Sequence, residues 1–337
     1  MESTEDIIDI LYNKCQTLLR TKDSYTEKHF KYWLTDIFDP LFQLSNLLIT
    51  TLTSPSSPLQ LKNNIYFILQ TSFSITPSLI PQFQGNIPLI NAVMSDIINI
   101  ITKQSDNNNN NNKYHKNIIE FFVSIYDSKD FFPLITEEFI SSLFDYVKYI
   151  DNDEMFSKLL NVLIDINAGY VSIEENKFLN VYHVHPNGRV IDEVLLRMLN
   201  YENDKDNILK ILLLMNNVFE KEQKNVLYAR DLDAIVDIIL VKFETIYAEE
   251  IKYFLLMLLQ TVVSLKDYYK EQYKMNIIMD FMETLKENEE ASEGLKKLGK
   301  NILVIMNKNI REKMGLPPEE EDEEEEEEDD GEGEGNE

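Results

Sequence analysis

Three runs of large apolar residues, each closed by an amide, recur along the second half of the chain. They are Leu159-Leu160-Asn161-Val162-Leu163-Ile164-Asp165-Ile166-Asn167, Leu209-Lys210-Ile211-Leu212-Leu213-Leu214-Met215-Asn216 and Tyr253-Phe254-Leu255-Leu256-Met257-Leu258-Leu259-Gln260. The closing amides Asn167, Asn216 and Gln260 stand 49 and 44 residues apart. A second pattern repeats at a similar distance: Val190–Leu196, Leu232–Ile239 and Asn276–Met282. Read together they are helical hairpins whose second helix is too apolar to stand alone, so neighbours must stack to cover it.

A period of roughly 40–47 residues built from helices is the signature of armadillo or HEAT repeats. No alternating strand pattern of useful length competes with it. The expected fold class is therefore all-α, an armadillo/HEAT-like helical repeat array (an α-solenoid) with a disordered acidic C-terminal tail. Seven of the ten prolines lie before Leu134, so the array is expected to be less regular over 1–150 and regular over 151–316. Pro40 divides a helical stretch running from Tyr25 to Leu52, because proline removes a donor and clashes with the preceding turn. The Asn run at 107–112 contains no core residue and predicts a flexible loop over 105–113. Ser3 or Thr4 is placed to cap a first helix with Asp6 in its first turn. Trp33, with Phe30, Leu34, Ile37 and Phe38, reads as a core anchor. Gly315, followed by Pro317 and Pro318, stops the last helix.

The charge is −27, and it is uneven. Residues 319–337 hold 15 of the 59 acids and no base, leaving 44 acids against 32 bases in the other 318 residues. Such a tail has no apolar residue with which to fold, and it repels itself. Both parts repel nucleic acid. The lone Cys15 sits in an amphipathic pattern and reads as a small buried residue; no disulfide framework is available within the chain. The acidic N-terminus predicts no secretory signal. The longest apolar runs are broken well short of a membrane span.

Chemistry was sought in the residues and has nothing to stand on. Outside the tail the chain has six glycines, scattered singly, so no phosphate-cradling loop is present. His183 and His185 flank Val184 in an expected loop, but no acid or thiol is spaced to complete a metal site. The carboxylates are too numerous for any pair to mark a general acid and base. The chain is expected to be no enzyme, to take no cofactor and to bind no metal.

What remains is partner binding. Asn167, Asn216 and Gln260 occupy equivalent places and suit a ladder of amides against a partner's backbone; alternatively they simply end apolar runs. Tyr228, Arg230 and Asp231 lie between two helices, where Asp231 is placed to cap the second. His185, Asn187 and Arg189 form a similar loop with Asn187 as its cap. Arg189 and Arg230 are cations in an acidic protein, which suits them to an interface. Leu295-Lys296-Lys297-Leu298 is similar to the core of actin-monomer-binding peptides, but reads better as a packed helix with a solvated lysine pair.

Residues 155–305 resemble the WISH/DIP (WDS) family. The resemblance rests on Leu163-Ile164-Asp165-Ile166-Asn167, His185-Pro186-Asn187, Val194-Leu195-Leu196-Arg197-Met198-Leu199-Asn200 and, most specifically, Val226-Leu227-Tyr228-Ala229-Arg230-Asp231-Leu232-Asp233-Ala234-Ile235-Val236-Asp237-Ile238. It implies an armadillo-like domain that binds the actin-related protein 2/3 complex. It further implies that the domain activates the complex without a pre-existing filament, yielding unbranched filaments that seed branched networks. Actin would then be an indirect partner, and the location cytoplasmic, at cortical actin or endocytic patches. The acidic tail lacks the Trp of the Wiskott–Aldrich-type activators, and neither an SH3 domain nor a proline-rich ligand segment is found. The alternative function is a generic helical-repeat scaffold or adaptor whose tail engages a basic client. Deleting the tail at Glu319 separates the two.

Overall fold

A computed structural model describes residues 3–21, 24–38, 44–102, 111–147, 150, 153–221, 229–265, 268–271 and 273–316. In chain order the α-helices are α1 (Thr4–Thr21), α2 (Ser24–Ile37), α3 (Leu44–Thr53), α4 (Leu59–Ile75), α5 (Ile87–Thr102), α6 (Asn111–Ile125), α7 (Ser128–Phe131), α8 (Glu137–Val147), α9 (Asp153–Ala168), α10 (Lys177–Val184), α11 (Gly188–Tyr201), α12 (Lys205–Lys221), α13 (Ala229–Thr245), α14 (Glu249–Ser264), α15 (Tyr268–Glu271), α16 (Met275–Glu287) and α17 (Glu293–Met314). Two 3-10 turns, Pro77–Gln82 and Phe132–Leu134, join neighbours, and no strand occurs among the described residues. The chain is an all-α helical repeat array.

Helix ends follow from local chemistry. Ser3 and Asp6 form a reciprocal capping box: the Asp6 N–H donates to Ser3 Oγ (3.1 Å) and the Ser3 N–H to Asp6 Oδ2 (2.9 Å). The Ser3 N–H, and then the Ser3 hydroxyl donating to the same oxygen at 2.8 Å, hold the Asp6 carboxyl below its ordinary pKa. Asn86 caps α5 by accepting from the Leu89 N–H at 3.0 Å. At the far end Gly315 takes the left-handed conformation (φ 69). There Leu316 N–H bonds Arg311 O at 2.9 Å and Gly315 N–H bonds Glu312 O at 3.2 Å, a Schellman stop. Pro40 lies outside the described residues, between α2 and α3. The Asn run departs from expectation at its end, since Asn111 and Asn112 already belong to α6.

The helices fall into two compact units, Met1–Leu227 and Tyr228–Glu337. In the first, α1, α4, α6, α9 and α12 pack one on the next as a layer, and α3, α5, α8 and α10 form a second layer against it. Helices from both sides of residue 150 therefore share one core. The layer helices α4, α6, α9 and α12 start at residues 59, 111, 153 and 205, close to the period read from the apolar runs. Rings fill the space between repeats: Tyr66–Phe121 at 5.4 Å, Phe122–Phe139 at 5.3 Å and Phe144–Phe178 at 5.5 Å. One buried polar cluster there is paired across helices. Lys62 Nζ lies 3.1 Å from both Asp96 carboxylate oxygens, and Tyr66 Oη donates to Asp96 at 2.8 Å. Burial, then the Asp96 charge, holds the Tyr66 phenol well above its ordinary pKa. Trp33 is only half-buried, with the Lys14 ammonium 4.1 Å above its ring, a cation–π contact rather than a core anchor. Cys15 is buried as expected, and burial pushes its thiol up to about 12.

In the second unit α14 and α17 pack together, α13 lies on α14, and α16 lies on α17. The pairs α13/α14 and α16/α17 are thus two successive hairpins. The face of α14 that carries Leu255, Leu256, Leu258, Leu259, Val262 and Val263 is buried. The four leucines belong to the apolar run that first suggested stacking.

Candidate functional site

Within residues 153–221, the two amides that close the apolar runs, Asn167 and Asn216, are buried. Asn167 on α9 is 0% exposed. Its Oδ1 accepts from Asn176 Nδ2 at 2.9 Å, and Asn176 in turn caps α10 by accepting from the Leu179 N–H at 3.2 Å. Asn216 on α12 is also buried, and its Nδ2 donates to Leu212 O at 2.9 Å, one turn back on the same helix. Asp165, two residues before Asn167, meets Lys210 of α12 at 2.7 Å. That pair is partly exposed and contributes at most about 1 kcal/mol, but it ties two layer helices in register.

The His185-Pro186-Asn187 segment is pinned to α8. Asn187 stands at the N-cap position of α11, yet its side chain makes no cap bond there. Instead Nδ2 donates to Phe144 O at 2.9 Å, which corrects the expected capping role. The Asn187 N–H donates to His185 Nδ1 at 3.2 Å, and His185 Nε2 lies 3.6 Å from Asp145. Gly188 follows because a Cβ there would fall 2.4 Å from the Tyr182 carbonyl oxygen. His183 is not in a loop: α10 runs to Val184, with His185 as its C-cap. Arg189 sits in the first turn of α11, and its side chain lies outside what the structure describes.

In the second unit, Tyr228 lies outside the described residues. Arg230 is in the first turn of α13, its side chain likewise undescribed. Because α13 starts at Ala229, Asp231 is inside the first turn rather than before it, so it acts on the helix dipole and not as a cap. Gln260 is half-exposed on α14, and its backbone carbonyl accepts from Ser264 Oγ at 2.7 Å. The residue that sequence reading missed as a hub is Asp237, in the most specific of the family-like motifs. Tyr273 Oη donates to Asp237 Oδ2 at 3.0 Å, and Lys274 Nζ lies 2.8 Å from Oδ1. Lys274 itself has φ 48, and Tyr268 Oη donates to the Tyr273 carbonyl at 2.6 Å. The bond to Asp237 is the first cause that raises both the Tyr273 phenol and the Lys274 ammonium above their ordinary pKa values. Asp237 thereby fixes the turn from which α16 starts.

The motif residues Asp165, Asn167, Asn187 and Asp237 thus hold one helix to another. Val184 and Tyr201 are exposed on the first unit, and Tyr247 (95% exposed) on the second. No group of three His, Cys, Asp or Glu suited to a metal occurs among the described residues, and no helix there is long and apolar enough to cross a membrane. What the site offers is a set of braced helix pairs with a mixed aromatic and polar exterior.

No curated protein matches the chain. Residues 152–278 match the family model for the SPIN90/Ldb17 leucine-rich domain, overlapping the stretch 155–305 that resembles the WISH/DIP family. This family is of a non-enzymatic, adaptor type. Residues 152–278 are thus similar to a leucine-rich domain of the WISH/DIP/SPIN90 family, a likeness that suggests an actin-regulatory adaptor role.

Proposed function

We propose that this chain binds the actin-related protein 2/3 complex and activates it without a pre-existing filament, so that the product is an unbranched filament. The observation that carries this reading is the family match over 152–278. The internal bracing of the motif residues supports it physically. A conformational activator must bind the active arrangement of its partner more tightly than the inactive one. Moving a partner from 1:99 to 99:1 takes roughly 5.5 kcal/mol of differential affinity. A standard interface of about 1,600 Å² supplies binding on that scale. A braced scaffold serves this better than a soft one, because little of the binding energy is lost in ordering it.

The contact residues proposed are Arg189 in the first unit and Tyr228, Arg230 and Gln260 in the second, with the buried Asn167 and Asn216 serving the scaffold of the first unit. The location proposed is cortical actin or endocytic patches in the cytoplasm. The test is direct binding of the purified complex to the full chain and to its Arg230→Glu variant. Weaker binding at unchanged helicity supports the reading. Wild-type binding by the variant removes the start of α13 from the interface. A chain cut at Glu319 keeps its binding on this reading; loss of binding favours the scaffold with a basic client.

A further inference from the structure

Asn187-Gly188 is the only Asn-Gly pair in the chain. The fold requires both residues. A Cβ at 188 would fall 2.4 Å from the Tyr182 carbonyl oxygen, so glycine alone fits where α11 starts. Asn187 is needed as a donor, its Nδ2 reaching Phe144 O at 2.9 Å. Phe144 lies in the last turn of α8, where carbonyls have no partner within the helix. The same pair is chemically labile. Asparagine carries an amide that the next backbone nitrogen can displace, and glycine has no Cβ to hinder the swing that brings its nitrogen up.

The reaction balances with water alone. The Gly188 nitrogen attacks Asn187 Cγ. The new N–Cγ bond replaces the Cγ–Nδ2 bond, and the Gly188 proton leaves with the amide nitrogen as ammonia. The cyclic imide then takes up one water at either carbonyl and opens to aspartate or isoaspartate. Ring closure needs the Gly188 nitrogen to eclipse the Asn187 Cβ. In the fold Asn187 has ψ 1, which lines that nitrogen up with Asn187's own nitrogen instead. Two backbone bonds hold it there, Gly188 N–H to His185 O at 3.0 Å and Val190 N–H to Asn187 O at 3.2 Å. The closed junction is therefore protected, and reaction waits on a local opening that breaks both bonds. The product does not restore the brace. A carboxylate has no proton to donate to Phe144 O, and its charge is drawn to the N-terminus of α11. We propose that Asn187-Gly188 is a self-modifying site: opening of the α10–α11 junction commits Asn187 to deamidation, and the product releases the start of α11 from α8. This is independent of the actin reading, and its test uses no partner.

The test is peptide mapping of the full chain aged in mildly alkaline buffer, scored by the mass change from amide to acid at Asn187. In urea that unfolds the chain, Asn187 is expected to convert faster than any residue of the Asn run at 107–112. The folded chain is expected to convert at Asn187 too, but at least about tenfold more slowly, which corresponds to about 1.4 kcal/mol of junction opening. His185→Ala removes the acceptor of the Asn187 N–H, a bond of 3.2 Å. It is expected to raise the folded-state rate about fivefold by easing that opening, with the rate in urea and the circular dichroism unchanged. A second measurement reads the consequence. In Asn187→Asp, hydrogen exchange of the amides at 187 and 188 is expected to quicken about tenfold, while α9 and α12 exchange as in the native chain. Equal rates in the folded and unfolded chain, no conversion in the folded chain, a folded-state rate unmoved by His185→Ala, or native exchange at 187 and 188 in Asn187→Asp overturns the proposal.

Discussion

Replacing Asn176 by Ala should destabilise the first unit more than replacing its partner Asn167 by Ala, and the structure says why. Asn176 does two things at once: Oδ1 caps α10 through the Leu179 N–H, and Nδ2 donates to Asn167. Losing an N-cap costs about 0.5–2 kcal/mol. Leaving the buried Asn167 oxygen without its donor adds about 1–3 kcal/mol. The sum for Asn176→Ala is about 2–4 kcal/mol, because the two losses overlap in one pocket. Asn167→Ala leaves the Asn176 Nδ2 unpaired, but it also removes the buried Asn167 Nδ2, which has no hydrogen-bond partner of its own. That variant should lose only about 1–2 kcal/mol. In a unit of this size 1 kcal/mol moves Tm by roughly 2–4 °C, so thermal unfolding followed by circular dichroism resolves both. Asn176→Ala within about 0.5 kcal/mol of wild type, or Asn167→Ala that keeps wild-type Tm but loses partner binding, refutes the reasoning. The latter would return Asn167 to the surface role first considered for it.

Other perturbations test other links. Asp96→Ala strands the buried Lys62 ammonium and should cost about 3–5 kcal/mol by urea unfolding; Lys62→Met/Tyr66→Phe/Asp96→Leu should recover most of it, since it also removes the Tyr66 hydroxyl that donates to Asp96 and an apolar cluster of similar volume needs no partner. His115 is buried, and burial lowers its pKa to about 4, against a smaller opposing bond to the Ile100 backbone. The unfolded chain therefore binds a proton that the folded chain refuses, so stability should fall as pH drops from about 6.5 towards about 4, and a His115→Gln variant should show a flatter profile over that window.

Much of the fold was legible because periodicity reports which face of a helix is buried. The runs ending at Asn167, Asn216 and Gln260 became α9, α12 and α14, and the α17 stop at Gly315 was readable from glycine followed by prolines. Helix α10 was missed: with 8 residues it is too short for a periodic signal, and its one clue was Asn176 ahead of Phe178 and Leu179. The start of α6 was placed late because Asn is a poor helix former, yet packing of α6 between α4 and α9 overrides that local preference. The site was less legible for a different reason. Asp165 with Lys210, Asn187 with Phe144, and Asp237 with Tyr273 and Lys274 are pairs separated by about one repeat. Nothing in a single sequence distinguishes an acid that braces the next repeat from one that faces a partner. The amides illustrate this: at equivalent places in their runs, Asn167 and Asn216 are buried while Gln260 is half-exposed.

The most direct test mixes the purified full-length chain with the actin-related protein 2/3 complex and actin monomers, with no other activator and no preformed filament, and follows assembly by fluorescence with filaments imaged singly. The account predicts faster assembly and filaments that are linear at their origin. Assembly at the rate without the chain, or filaments that are mostly branched from the start, would contradict it.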